Sequence, residues 1–72
     1  MINEERSIFK HKLKQYCKLN FISQRSIARK IGISDQEFHN MLVGFQNEVS
    51  HASLNWERFT FEVLKVLNVK EL

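Results

Sequence analysis

Cys17, His11, His39 and His51 are the side chains whose types suit a metal ion or a nucleophile. A zinc site draws its ligands from closely spaced pairs, and one cysteine with three scattered histidines offers no such pair. Metal binding is therefore not expected. Cys17 falls among apolar residues, where a thiol behaves as a small buried hydrophobe rather than an activated nucleophile. The chain has no glycine-rich phosphate loop and no nucleophile elbow, and 72 residues are few for enclosing a substrate pocket. No catalytic residue, cofactor or enzymatic activity is expected. What remains is charge. Residues 1–33 carry Arg6, Lys10, Lys12, Lys14, Lys18, Arg25, Arg29 and Lys30 against Glu4 and Glu5, whereas residues 34–72 carry three basic side chains against six acids. The net charge of +3 hides this asymmetry. A basic half suits a polyanion such as DNA, because Lys and Arg release counterions from phosphates; the same run also suits a plain solvated helix face.

Helices must position these groups. A composition 43% hydrophobic and 26% charged, with two Gly and no Pro, excludes a disordered or collagen-like chain and argues against turn-rich β architecture. The length allows one small domain, 1–72, with one core. From Glu4 to about Leu19, the residues Ile8, Phe9, Leu13, Tyr16 and Cys17 keep helical spacing, while Arg6, Lys10, Lys14 and Lys18 recur along a polar side. Asn20 suits the left-handed stop. Ser23 is placed to cap a second helix whose inward residues are Ile27, Ala28 and Ile31, and Gly32 stops it. Ser34-Asp35-Gln36-Glu37 has the reciprocal form of a capping box and opens a third helix from Asp35 to about Val43, with Phe38, Met41 and Leu42 inward and Gly44 at its end. Residues 44–53 keep no clean period and read as a loop or a short helical turn. A last helix starts near Ser53, with Trp56, Phe59, Val63, Val66 and Leu67 in one stripe and Asn68 as its stop. Leu54 and Phe61 lie off that stripe, so either the first helix covers them or they are dimer contacts with another subunit. Trp56 and the six phenylalanines read as core. The fold class that follows is all-α, a compact bundle of four to five helices.

Two short helices joined across Gly32-Ile33-Ser34 fit a helix-turn-helix at about 23–44, whose tight turn needs a residue tolerant of positive φ. Ala28 is small enough for the helices to cross, and Ile27, Ile31, Ile33, Phe38 and Met41 fill the space behind them. The stretch from Gln24 to Gly44 resembles the Cro and lambda-repressor-like helix-turn-helix family, and Phe59 to Val69 is similar to that family's closing helix, with Asn68 where a glycine is common. The resemblance implies sequence-specific binding of double-stranded operator DNA, homodimerisation on two-fold sites, and a role as a small bacterial or phage transcription regulator. Carried over by position, Asp35, Gln36, His39 and Asn40 reach base edges in the major groove, and the amides of Gln36 and Asn40 suit adenine N6 and N7. Ser23, Gln24 and Arg25 match positions that hold DNA phosphates.

Two features depart from that pattern. Asp35 and Glu37 put carboxylates at the helix start that would enter a groove flanked by phosphates, although the helix dipole favours acids there. The segment after Gly44, often basic in this family, contains Glu48 and neither Lys nor Arg. A second class of function follows: an adaptor or inhibitor of phage origin that keeps the fold and binds a protein through the basic first helix or the acidic third. A lone cysteine excludes an intrachain disulfide and points to a reducing interior, and no apolar run approaches the roughly 18 residues of a membrane span. With no basic-then-apolar leader at Met1 to Arg6, the expected setting is cytoplasmic.

Overall fold

The structure is a computed structural model that describes residues 3–45, 48–49 and 53–72. In chain order it contains α1 (Asn3–Asn20), α2 (Gln24–Ile31), α3 (Asp35–Val43), β1 (Glu48–Val49), β2 (Leu54–Asn55) and α4 (Trp56–Leu67). The fold is mostly helical, as expected, but it is not purely α. β1 and β2 pair antiparallel with Glu48 opposite Asn55 and Val49 opposite Leu54; β1 lies in the region expected as a loop or helical turn, and β2 where the last helix was expected to begin. Two-residue strands are too short for their alternation to register in a sequence window.

That ribbon also moves the start of the last helix. Ser53 takes a left-handed φ of 51°, and Asn55 rather than Ser53 caps α4, its Oδ1 accepting from the Arg58 N–H at 2.9 Å. Leu54 consequently belongs to a strand whose inward side faces the core, and it is only 3% exposed. Its apolar side chain is satisfied within the chain, which removes the ground for Leu54 as a dimer contact. Phe61 is different: the first helix does not cover it, and it stays 59% exposed.

α1 packs against α3, α2 packs against both α3 and α4, and β2 lies on α4. One core joins them, built on Leu13 and Cys17 from α1, Ile27 and Ala28 from α2, Phe38, Met41 and Leu42 from α3, and Phe59, Val63 and Leu67 from α4. Edge-to-face aromatic contacts tie α4 to two helices: Phe9 of α1 meets Trp56 at 5.5 Å, and Phe38 of α3 meets Phe59 at 5.2 Å. The reading of the phenylalanines as core fails for Phe21 and Phe45, which are exposed, as is the off-stripe Phe61, and Ile8 is half-exposed on α1.

Each helix ends in a left-handed residue. Gly32, Gly44 and Asn68 do so as expected, but α1 stops at Phe21, with φ 56°, and not at Asn20. The Ile22 N–H donates to the Cys17 carbonyl at 2.9 Å, closing the last turn, while Asn20 Nδ2 donates back to the Tyr16 carbonyl. The largest departure on α1 is Arg6. Expected on the polar side with the lysines, it is buried: its Nη1 donates to the Met41 carbonyl, and its guanidinium lies 4.5 Å from the centre of the Trp56 ring.

Candidate nucleic-acid interface

The candidate surface is built around the join between α2 and α3. Ser23 opens α2 in an extended conformation, and its Oγ accepts from the Ser26 N–H at 3.1 Å, while the Ser26 hydroxyl donates to the Ser23 carbonyl. At the far end, the N–H groups of Gly32 and Ile33 both donate to the Ala28 carbonyl. Gly32 adopts φ 97°, a conformation that L side chains rarely hold; a Cβ there would meet nothing within 4 Å, so backbone torsion and not crowding selects the glycine. Ile33 then drops into the core and pins the turn. Ser34 follows at once as the cap of α3, with Oγ accepting from the Glu37 N–H at 3.1 Å and the Glu37 carboxylate accepting from the Ser34 N–H at 2.9 Å. Both halves of the expected capping box are therefore present.

With Phe38, Met41 and Leu42 buried, helical periodicity turns Gln36, His39 and Asn40 outward. Asp35, Gln36 and His39 are exposed and Asn40 is half-buried. The two amides touch, Gln36 Nε2 donating to Asn40 Oδ1 at 3.0 Å across one helical turn. At the head of the helix, Arg25 Nε donates to Asp35 Oδ2 at 2.8 Å, with both side chains more than half exposed. This ion pair joins a residue expected at phosphates to one expected at bases. An Arg and an Asp in the first turns of consecutive helices were the available signal for it, but their meeting depends on how tightly Gly32 folds the pair together. Ser23 spends its hydroxyl oxygen on its cap, Gln24 is half-buried beside it, and Arg25 is exposed.

Cations sort unevenly around this surface. Arg6 is withdrawn into the core, Arg25 is engaged by Asp35, and Arg58 on α4 pairs with Glu62 at 3.0 Å. Lys10 lines a groove of about 190 Å³ between α1 and the end of α3, together with Ser7, Leu42 and Val43. Lys12 lies on the opposite flank of α1, in a cleft of about 300 Å³ against Trp56 and Leu64 of α4.

His11 and His39 are exposed and apart, and His51 lies outside the described residues. Among the described residues no group of three His, Cys, Asp or Glu gathers to hold a metal ion, and no helix is long and apolar enough to cross a membrane. Burial pushes the Cys17 thiol above its ordinary pKa, the direction opposite to nucleophile activation. No family model, curated protein or solved structure matches the chain.

Proposed function

We propose that this chain is a DNA-binding transcription regulator of the helix-turn-helix kind, reading the major groove with α3 in the manner of the Cro and lambda-repressor-like proteins it resembles. The observation that carries the proposal is the join itself: two capped helices, a left-handed Gly32 between them, and Gln36 and Asn40 presented side by side on the outward face of the second. Asp35, Gln36, His39 and Asn40 reach base edges, with the linked amides suited to adenine. Ser23, Gln24 and Arg25 approach the phosphates at the start of α2. The ion pair with Arg25 supports this assignment, because it offsets the carboxylate of Asp35 that would otherwise face phosphate. A guanidinium has five N–H donors, so one spent on Asp35 leaves others for the backbone.

Selection of bound sequences from a random duplex pool, followed by anisotropy titration across salt, tests the proposal. A two-fold related site bound with affinity that falls steeply with salt is the expected result. Gln36→Ala with Asn40→Ala is expected to abolish sequence discrimination while leaving non-specific binding. Weak, unenriched binding at low salt overturns the proposal in favour of a protein-binding adaptor or inhibitor. That second reading has its own support, since Leu19, Phe21, Phe45 and Phe61 are large apolar side chains left exposed.

A further inference from the structure

We infer that Lys10, Lys14 and Lys18 of α1 form a phosphate track that grips the backbone of the duplex read by α3. The inference rests on the DNA-binding reading above and assigns the electrostatic grip to a different element. Three observations lead to it. Of the basic side chains around the reading helix, Arg25 shares its guanidinium with Asp35 and Arg6 lies in the core, which leaves Arg29 and Lys30 exposed in the last turn of α2. The described segment after α3 offers Glu48 and no base. Lys10 sits in the groove where α1 meets Leu42 and Val43, so the stripe begins on the flank that α1 shares with α3.

From Lys10 the stripe runs along α1 with one lysine per four residues, a rise of about 6 Å per step, and each step winds about 40° further toward solvent. Lys10 is half-buried at the groove, and Lys14 and Lys18 are exposed. None of the three has a carboxylate three or four residues away: the neighbours at those spacings are Arg6, Ser7, His11, Leu13, Gln15, Cys17, Phe21, Ile22 and the lysines themselves. Like charges at i, i+4 oppose helix formation, so this ladder works against the helix that carries it. A phosphate backbone supplies the missing anions. Long lysine stems give the ammonium groups reach without a fixed geometry, which suits sequence-independent contacts.

The test compares the wild-type chain with a triple variant, Lys10→Gln, Lys14→Gln and Lys18→Gln, titrating both against the selected site and against random duplex over a range of salt. Each phosphate contact contributes roughly 0.9 to the slope of log K against log salt, so the triple variant is expected to lose about 2 to 3 from that slope. Affinity should fall by the same factor for both DNAs, leaving the specificity ratio unchanged. Lys12→Gln, on the α4 flank, should leave the slope as it is. Removing repulsion should leave the thermal midpoint of the triple variant level or raised; a lowered midpoint would make these lysines part of the fold and overturn the inference. An unchanged slope in the triple variant, with wild type still selective, overturns the track and spares the DNA reading. Absence of duplex binding by wild type at low salt overturns both.

Discussion

A buried guanidinium is costly unless its charge and its N–H groups are satisfied, and Arg6 meets that demand with the carbonyl of Met41 and the face of Trp56. It thereby ties α1 to the last turn of α3 and the first turn of α4. Side-chain spacing had put Arg6 in register with Lys10, Lys14 and Lys18; the periodicity of one helix cannot reveal which neighbour will supply an acceptor at a charged position. Arg6→Ala should cost about 2 to 4 kcal/mol in urea unfolding, from a charge-assisted hydrogen bond and a desolvated cation–π contact together. Arg6→Lys should recover only part, because an ammonium lacks the planar stacking surface. Cys17 gives a second residue-level expectation. Its thiol ionises less readily folded than unfolded, so the unfolded chain releases that proton first as pH rises. Below the ordinary thiol value of 9.0 this group leaves stability level, and above it stability declines until the folded thiol also ionises. Unfolding measured at pH 8 and 10 should show a larger loss for wild type than for Cys17→Ala; parallel losses would mean that the thiol is solvated in the folded chain.

Elements were legible where a local rule fixes them. The Ser34 box, the Ser23 cap and the glycine stops need only a few neighbouring residues, and each formed as its sequence specifies. Ser34→Ala should therefore cost about 1 kcal/mol whatever the chain binds, with Ser34→Asp retaining most of it. The strand pair was not legible, because β1 and β2 are each two residues long and are held by the burial of Val49 and Leu54 rather than by any strand pattern. The end of α1 was misplaced by one residue for a related reason. Propensity selects Asn20 as the left-handed stop, but the position is set by where Ile22 must turn to bond Cys17, and that leaves Phe21 at positive φ. Phe21 is 96% exposed and so gains little packing for its strained backbone. Phe21→Asn should accordingly stabilise the chain by up to about 1 kcal/mol in thermal or urea unfolding. Destabilisation instead would show that its ring is packed in solution.

At the scale of the molecule, the number and order of the helices could be read from the chain, whereas their mutual placement could not. The contacts of α1 with α3 decide which lysines flank α3, and the Arg25–Asp35 pair decides how much negative charge that helix presents; both arise only when distant segments meet. Two-fold operator sites, if this protein reads them, require two copies joined at a fixed separation. With Leu54 committed to the core, Phe61 is the one of the two expected dimer contacts still on the surface, flanked on α4 and the tail by Leu64, Lys65, Val69 and Lys70. Tethering turns the second half-site encounter into an intramolecular event, so a weak dimer can still bind a two-fold site far more tightly than a half-site. Phe61→Ser removes an exposed ring and should leave the unfolding midpoint near that of wild type. It should also shift sedimentation to the 8.6 kDa monomer and weaken binding to the two-fold site by about tenfold or more, while half-site affinity holds. Wild type sedimenting as a monomer at high concentration would remove Phe61 from the interface, and the proposed DNA reading would then rest on single half-sites bound through α3 and the lysines of α1.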